Sequence, residues 1–560
     1  PVVKLPRYKS GFIFPKKDKR QNPFGILAFR TIGLDRDDQR VGLERAYNEQ
    51  LAGKPGQQVQ EKIPGGIWKP VSDDFLVEPV DGLDLLTTID VHLQDIAENA
   101  LLDQLKEHNA AWGCVVLMEV ETGYVRAIAN LERTSDADDE ELTFFETYNF
   151  AIGQGCEPGS TFKLASMMAA LESGLISPED SIQTGNGIKK YYGSTIRDSN
   201  YDHGGHGKGS CEQIFEWSSN IGMAEIAQRC FASDKQAYLD RLKSFGLTQP
   251  LGLSIKGEKP PRIYEKVGDE LWSGISHIWM SIGYEVEQTP LQILTFYNTV
   301  ANNGRMMRPT FASALKKNGR VVEEIKPFVI KDKICSDLTL RQVRSMLEGV
   351  CEPGGTADHR FKGTPYKVAG KTGTAWIHNS GEYFSGHYRS SFVGYFPADN
   401  PKYSCIVVIH DPSSGSYYGS TIAAPVFKRL SDHLYATEFY SPQPETADEM
   451  LADTRVPISK NGSQKDLGIV FAQLNIKTDG TANGSWVRTS TKEDKVEFSD
   501  HEILNGLVPD VRGMGLQDAL FLLENSGLTV KIVGSGSVKK QSLTAGSAIR
   551  KNMVIQIELG

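Results

Sequence analysis

The segment GCEPGSTFKLASMMAALESG (155–174) combines a long apolar run with a serine and a lysine at its start. It predicts a helix from Ser160 to Ser173 that ends at Gly174, because glycine is favoured just after a helix end. The helix is apolar on nearly every side, and such a helix is buried in a core. Ser160 and Lys163 lie one turn apart at its start, and side chains three residues apart have Cβ atoms about 5–6 Å apart. We therefore expect a hydroxyl and an amine within hydrogen-bonding reach of each other inside a core.

This pair has the chemistry of an activated serine. A serine hydroxyl is a weak nucleophile at neutral pH and needs an adjacent base. Burial disfavours the charged form of a lysine, so we expect a lowered pKa for Lys163 and expect its amine to act as that base. The beginning of the helix adds backbone N–H groups beside the reacting oxygen of Ser160.

Two more motifs follow along the chain, SSN (218–220) and KTGT (371–374). Each alone is a weak signal, since S-x-x-K also occurs at 313–316 and 537–540. Lys371 would supply a second positive charge that lowers the pKa of Lys163 further. KTGT follows a predicted strand at 366–370, whose edge would bind an extended peptide through main-chain hydrogen bonds. The two threonine hydroxyls beside Lys371 suit a substrate carboxylate.

The strands predicted for the central part of the chain lie near its two ends, with helices between them. This order predicts an α+β domain of about 350 residues whose sheet joins distant segments. The predicted elements are a helix at 90–108, a hairpin with strands at 112–120 and 124–131, strands at 366–370, 390–397 and 402–410, and a helix at 423–435.

The composition changes after residue 440, where proline, serine and acidic residues become frequent, as is typical of a linker. A strand pair is expected at 485–498. The last residues predict a small separate unit with a helix at 515–527 and strands at 528–533 and 552–559. We therefore divide the chain into an N-terminal region (1–80), a main domain (81–437), a linker with short strands (438–507) and a terminal domain (508–560).

The composition excludes several classes of function. Of the 560 residues, 61 are Lys or Arg and 70 are Asp or Glu, so the net charge of −9 gives no basic footprint for nucleic acid. Seven scattered cysteines without close spacing argue against a disulfide framework and a zinc site. Glycines separate His203 from His206 and forbid the helix that would present both to zinc. The acidic run at 136–141 predicts a solvated loop. We expect no metal.

Taken together, the three motifs and their surroundings resemble the penicillin-binding proteins, a family of serine D,D-transpeptidases. The resemblance extends over SSNIGMAEIAQR (218–229), SIGYEVEQTPLQILTFYNTVANNG (281–304), YKVAGKTGTAW (366–376) and SSFVGYFPADNPKYSCIVVI (390–409). GLERAYNEQLAGKPG (42–56) resembles the N-terminal platform of class B members, and VPDVRGMGLQDALFLLENSGLTV (508–530) is similar to a PASTA domain.

The resemblance implies a multidomain α+β protein. The main domain would have the transpeptidase fold shared with β-lactamases, a central antiparallel sheet flanked by helices. Before it would stand a dimerisation or pedestal-like platform, and after it a PASTA-like α/β domain. The platform is expected to be incomplete or divergent, because the Arg-Gly…Asp-Arg-Asn-Gly motif of the family is missing from residues 1–80.

The resemblance also implies a role for each motif residue. The expected roles are as follows: Ser160 is the acylated nucleophile, Lys163 the general base, Ser218 the proton relay to the leaving amine, Asn220 the holder of the substrate amide, and Lys371 the support of Ser218. Thr372 and Thr374 grip the terminal carboxylate, Ser219, Gly373 and Trp376 line the substrate site, and the N–H groups of Ser160 and Thr374 form the oxyanion hole. No cofactor is expected.

The implied reaction cross-links D-Ala-D-Ala stem peptides of peptidoglycan during cell division, and β-lactams would block it by acylating the same serine. Implied partners are divisome membrane proteins, including a cognate glycosyltransferase. The implied location is the periplasmic face of the bacterial inner membrane, held by an N-terminal anchor absent from this chain. Two alternatives stay open: a D,D-carboxypeptidase or β-lactamase that transfers the acyl group to water, and a non-catalytic scaffold that binds the cell wall.

Overall fold

The structure is a computed structural model. It describes residues 21–36, 39–71, 76–135, 142–379, 382–439, 456, 459–474, 476–480, 482, 484–492, 495–550 and 553–560. The predicted loop at 136–141 and the first 20 residues of the predicted platform lie outside the described residues. The chain divides into two units, Pro1–Phe439 and Tyr440–Gly560.

The first unit contains fifteen described α-helices. They are α1 (Phe29–Ile32), α2 (Gly42–Ala46), α3 (Asn48–Leu51), α4 (Val91–Glu107), α5 (Phe150–Gly153), α6 (Lys163–Glu172), α7 (Cys211–Glu216), α8 (Asn220–Phe231), α9 (Lys235–Ser244), α10 (Ser276–Ser281), α11 (Pro290–Ala301), α12 (Asp337–Gly349), α13 (Asp358–Phe361), α14 (Gly419–Ile422) and α15 (Ala424–Leu434). Two 3₁₀ turns cover Gly159–Phe162 and Tyr201–His203, and a π-helical turn covers Tyr435–Phe439.

Its strands form one large sheet and several small ones. They are β1 (Asp35–Arg36), β2 (Gln39–Arg40), β3 (Gln57–Gln58), β4 (Gln60–Ile63), β5 (Ile67–Pro70), β6 (Leu76–Val77), β7 (Asp84–Thr87), β8 (Trp112–Glu119), β9 (Val125–Arg133), β10 (Phe144–Phe145), β11 (Ser181–Gly185), β12 (Ile188–Tyr191), β13 (Ser194–Arg197), β14 (Gly207–Ser210), β15 (Met306–Met307), β16 (Ala312–Lys317), β17 (Arg320–Glu324), β18 (Val329–Lys331), β19 (Ala369–Asn379), β20 (Glu382–Phe396) and β21 (Tyr403–His410).

The large sheet has six antiparallel strands in the order β10-β9-β8-β21-β20-β19. The hairpin β8–β9 joins β21 from the far end of the domain, with Leu117 opposite Cys405, which confirms the predicted sheet of distant segments. Helix α4 packs closely on one face, since a Cβ added at Gly113 would lie 2.9 Å from a methyl of Leu101. On the other face, Asn298 of α11 accepts a hydrogen bond from Ser404 Oγ at 2.7 Å.

Helix α6 confirms the predicted buried helix, because every residue from Lys163 to Leu171 is buried. Its beginning differs from the prediction. A 3₁₀ turn covers Gly159–Phe162 and the α-helix starts only at Lys163, so Ser160 lies on the turn that leads into the helix. The left-handed conformation of Gly159, with a φ of 56°, fixes the tight entry to this turn.

The motif KTGT lies inside a strand, whereas the sequence analysis placed it after one. Strand β19 runs from Ala369 to Asn379 and pairs with β20, with Lys371 opposite Val393. The β-branched Thr372 and Thr374 suit an extended backbone. Gly373 fits because the space that a side chain would need is filled, with Ser391 Oγ only 2.2 Å from an added Cβ.

The second unit contains two helices and seven strands among its described residues. They are β22 (Gly462–Ser463), α16 (Gln464–Gln473), β23 (Lys477–Asp479), β24 (Trp486–Thr491), β25 (Lys495–Asp500), α17 (Leu516–Asn525), β26 (Thr529–Val533), β27 (Val538–Gln541) and β28 (Val554–Leu559). The expected strand pair at 485–498 is confirmed by β24 and β25. The described residues of the predicted linker also form β22, α16 and β23, for which the sequence carried no signal.

The two halves of this unit share one topology. Each has a helix followed by three strands, and the third strand pairs parallel with the first and antiparallel with the second. In the first half, Gly462 just before the helix pairs with Val487 of the second strand, and in the second half Gly515 pairs with Ser537, the residue before the second strand. The first half buries few large apolar residues, Phe471, Val487 and Val496, so its pattern was too weak to reveal a repeat. Residues 462–500 therefore form a second copy of the C-terminal architecture.

All seven cysteines are buried and free. In the parts of the chain that the structure describes, none of the helices combines the length and the apolar character needed to cross a membrane.

Candidate active site

The turn that carries Ser160 is clamped between β19 and the loop before α11. The N–H of Gly159 donates to the carbonyl of Gly283 at 3.1 Å, and a Cβ added at Gly159 would lie 2.9 Å from that of Ala375. Tyr297 of α11 donates its hydroxyl to the carbonyl of Thr161 at 2.7 Å. These contacts fix the half-buried Ser160 beside the edge strand of the sheet.

Lys163 is the first residue of α6 and is fully buried. Its Nζ donates to Ser218 O and to Asn220 Oδ1, both at 2.6 Å, and to Ser218 Oγ at 3.3 Å. Burial lowers the pKa of Lys163 to about 7, and the nearby charge of Asp198 partly opposes this effect. At neutral pH a large fraction of the molecules therefore carries an uncharged amine that can accept a proton.

The expected hydrogen bond between Lys163 and Ser160 is absent among the described residues. The amine instead donates hydrogen bonds to the SSN loop, where the carbonyl and hydroxyl of Ser218 and the amide oxygen of Asn220 accept them. The protonated amine can donate all three bonds, which replace the water lost on burial, whereas the neutral amine can donate only two and keeps a lone pair that can accept a proton. Lys163 thus links the nucleophile turn to the second motif.

The SSN motif lies in the connection between α7 and α8. Ser218 has a φ of 57°, a left-handed conformation that costs energy in a residue other than glycine and that persists only where the surroundings impose it. Asn220 begins α8, and its amide is oriented by two neighbours, since Oδ1 accepts from Lys163 and Nδ2 donates to Arg197 O at 2.8 Å.

Ser219, which the sequence analysis placed among the substrate contacts, is buried, and its hydroxyl makes hydrogen bonds within the protein. Its Oγ accepts from the N–H of Gly222 at 2.9 Å, which caps α8, and donates to Asp198 Oδ2 at 2.8 Å. Asp198 is a site residue that the sequence analysis missed. It lies in a short polar stretch after β13 with no motif or periodicity to distinguish it.

Lys371 is fully buried on β19, and its Nζ lies 5.7 Å from the centre of the Phe215 ring. Burial lowers its pKa well below the usual range, and the charge of Lys163 adds to this effect. The predicted second amine is therefore present and buried, and the charge of Lys163 disfavours its charge. The lowered pKa of Lys163 itself comes from burial, not from Lys371.

The remaining threonines of the KTGT motif and the nearby Trp376 differ in their exposure to solvent. Thr372 is only 8% exposed, and its Oγ1 lies 3.0 Å from Thr356 Oγ1. Thr374 is half-buried on the edge strand, which is paired on one side with β20. Trp376 is 45% exposed, and its backbone N–H donates to Tyr284 Oη at 3.4 Å. Thr374 and Trp376 thus lie where an incoming ligand can reach them.

Aromatic side chains border this region. Tyr388 of β20 and Tyr417 stack with ring centres 4.1 Å apart. The loop that carries Tyr417 continues to Gly419, whose added Cβ would lie 2.7 Å from Gly373 O. Near the SSN loop, His206 stacks on Trp217 at 4.6 Å. A zinc site, which the sequence analysis considered and rejected, would have used His203 and His206. Among the described residues, no three His, Cys, Asp or Glu side chains are grouped so that they could hold a metal ion.

Comparison with known proteins assigns the family. Residues 113–432, more than half of the chain, match the penicillin binding protein transpeptidase domain. This chain is a member of that family. Residues 506–560 of this penicillin-binding protein match the PASTA domain, which agrees with the sequence analysis. The first half of the second unit shares only the topology described above.

The chain is similar to several curated proteins. It is 30% identical over 417 residues to peptidoglycan D,D-transpeptidase FtsI of Buchnera aphidicola subsp. Baizongia pistaciae, covering 74% of this chain and 69% of that protein. It is 26% identical over 548 residues to stage V sporulation protein D of Bacillus subtilis, covering 96% of this chain and 75% of that protein.

Solved structures of the family share the fold. Penicillin binding protein 3 of Mycobacterium tuberculosis, complexed with aztreonam, matches with a TM-score of 0.61 and 28% identity over 76% of this chain and 91% of that chain. Penicillin binding protein 2X of Streptococcus thermophilus matches with a TM-score of 0.62 and 21% identity, covering 95% of this chain and 82% of that chain.

Proposed function

We propose that this penicillin-binding protein is a peptidoglycan D,D-transpeptidase that works through an acyl-enzyme on Ser160. The observation that carries the proposal is the buried amine of Lys163, three residues after Ser160. Burial lowers the pKa of this amine to about 7, and hydrogen bonds to the SSN loop hold it in place. A neutral amine in this position is the base that a serine nucleophile requires.

In the proposed acylation, Ser160 Oγ attacks the carbonyl carbon of the penultimate D-Ala while Lys163 takes the hydroxyl proton. The N–H groups of Ser160 and Thr374 stabilise the oxyanion. The proton then reaches the nitrogen of the leaving D-Ala through Ser218, whose Oγ lies 3.3 Å from Lys163 Nζ. An amine from a neighbouring stem peptide then attacks the ester carbon, the bond to Ser160 Oγ breaks, and the proton lost by the amine returns to Ser160 Oγ.

The edge strand β19 is the proposed seat of the stem peptide. An extended donor would add to its open edge by main-chain hydrogen bonds and would place its terminal carboxylate near Thr374 and Thr372. Gly373 and Trp376 would border the donor. Lys371, whose charged form burial disfavours, would support Ser218, and Asn220 would hold the donor amide.

We also propose a wider setting for the reaction. It would take place at the periplasmic face of the bacterial inner membrane, in septal synthesis that determines cell division and cell shape, with divisome membrane proteins and a glycosyltransferase as partners. β-Lactams would acylate Ser160 in place of the stem peptide.

Release of D-Ala from a D-Ala-D-Ala stem peptide, measured with and without an acceptor amine, tests the transferase. The proposal expects a cross-linked product and faster turnover when the acceptor is added. Hydrolysis that the acceptor leaves unchanged would instead indicate a D,D-carboxypeptidase or β-lactamase. No D-Ala release and no β-lactam binding would indicate a scaffold.

A further inference from the structure

Asp198 is a buried carboxylate at the centre of the site. It follows β13, is only 2% exposed, and accepts three hydrogen bonds from the start of α8. Ser219 Oγ donates to its Oδ2 at 2.8 Å, and the N–H groups of Asn220 and Ile221 donate to its Oδ1 at 2.6 and 3.0 Å. A negative charge is favoured beside the free N–H groups at a helix start, which explains how this position tolerates a buried acid.

The segment Arg197–Asp198 holds Asn220 from two sides. The carboxylate of Asp198 binds its backbone N–H, and the carbonyl of Arg197 accepts from its side-chain Nδ2. The remaining amide atom of Asn220, Oδ1, receives the amine of Lys163. A single chain of contacts therefore leads from Asp198 through the loop to the catalytic base.

The same loop contains the strained Ser218, whose carbonyl receives a second bond from Lys163 at 2.6 Å. A left-handed serine reverts to a relaxed conformation unless neighbouring contacts hold it. The next residue, Ser219, is fixed to Asp198 through its hydroxyl, so the carboxylate limits the conformations of the turn.

Asp198 also affects the charge of Lys163 directly, because its negative charge raises the pKa that burial lowers. The other titratable groups that face these two residues belong to neighbouring elements. Lys371 on β19 lies near Lys163, with Cys351 next to Lys371. His206 and Tyr191 lie near Asp198.

We propose that Asp198 is a positioning residue for acylation, which holds the SSN turn in the form that binds Lys163 Nζ and sets the charge balance at that amine. The inference rests on the proposed function, since it needs Lys163 as the base for Ser160. It goes beyond that function because it assigns an essential role to a residue outside the three motifs.

Acylation by a fluorescent penicillin, measured between pH 5 and 9 on the full chain, tests the proposal. Asp198→Asn keeps the shape and removes the charge. We expect the rate at its high-pH plateau to fall at least about tenfold and the midpoint of the pH profile to move down by about one unit. The midpoint moves down because loss of the negative charge makes the protonated amine less stable.

Asp234→Asn is the matched control. Asp234 also caps a helix, with its Oδ1 accepting from the N–H of Ala237 at 3.1 Å at the start of α9, but it lies outside the site. This variant is expected to keep both the midpoint and the plateau. If Asp198→Asn lowers only the melting temperature and leaves the midpoint and plateau of the native protein, Asp198 is a plain helix cap and the proposal is wrong.

If Asp198→Asn does not fold, the same acylation assay on Asp198→Glu tests the proposal. The longer side chain retains the charge and displaces the carboxylate, so we expect an unchanged midpoint and a reduced plateau. A native plateau in a folded Asp198→Glu variant would overturn the positioning role. Native acylation in Lys163→Ala would instead contradict the proposed function itself, which separates the two failures.

Discussion

The lowered pKa of Lys163 predicts how the rate of acylation depends on pH. Only the neutral amine accepts a proton from Ser160, and with a pKa of about 7 its fraction falls about tenfold for each pH unit well below 7. The second-order rate constant should therefore rise roughly tenfold from pH 6 to pH 8, and roughly ninetyfold from pH 5 to pH 8. It should be nearly constant above pH 8.

The magnitude depends on burial, the main cause of the shift in the pKa of Lys163. A lysine with the ordinary pKa of 10.5 would be neutral in only about one molecule in 3,000 at pH 7, so the rate would keep rising beyond pH 9. Lys163→Ala removes the base, and we expect a loss of about 10²–10⁴-fold at pH 8. Lys106→Ala, at an exposed position on α4, should keep the native rate and profile.

Stopped-flow measurement with a fluorescent penicillin at constant ionic strength gives this profile from pH 5 to 9. A rate that continues to climb through pH 9, or one that is flat from pH 5 to 8, would refute the assignment of a buried, low-pKa base. A loss of less than about tenfold in Lys163→Ala would also refute it, because general-base catalysis contributes more than that.

Two further predictions concern the nucleophile turn and the second unit. Gly159→Ala places a methyl 2.9 Å from Ala375 Cβ at a φ of 56°, and should slow β-lactam acylation about tenfold by moving Ser160. Gly174→Ala has similar strain with open space around it, so it should lower the melting temperature but keep the acylation rate. Asn461→Ala removes two hydrogen bonds to backbone groups and should destabilise the second unit by about 1–3 kcal/mol in urea unfolding, and Asn525→Ala, at an exposed position, should not. Equal effects within either pair would contradict these explanations.

The sequence predicted structure best where a segment is too apolar to face water. The helical segment after Ser160 is apolar on nearly every side, which predicts a buried helix, and α6 is buried as expected. The distant strands of the central sheet were predicted because each is a continuous apolar run, as in β8 and β21, and such runs are buried on both faces.

Other features depend on tertiary contacts that no local pattern encodes. Asp198 is one acid in a polar stretch, and only the fold brings it to the start of α8. The bonds of Lys163 go to Ser218 and Asn220 because the SSN loop offers more acceptors than Ser160 does. Strand β19 extends through Gly373 because β20 pairs with it along its length.

The folded half of the predicted linker was missed for a different reason. Its helix α16 begins in a segment of polar residues, and its sheet buries only a few apolar side chains, so composition alone favoured an irregular structure. Its identity with the topology of the PASTA half becomes visible only in the pairing of the strands.

The role of Ser160 as the acylated nucleophile can be tested by intact mass of the full chain after exposure to benzylpenicillin, followed by peptide mapping. We expect the addition of one β-lactam, located on Ser160 in the tryptic peptide that ends at Lys163, and no addition in Ser160→Ala. Addition at another residue, or undiminished addition in Ser160→Ala, would contradict it.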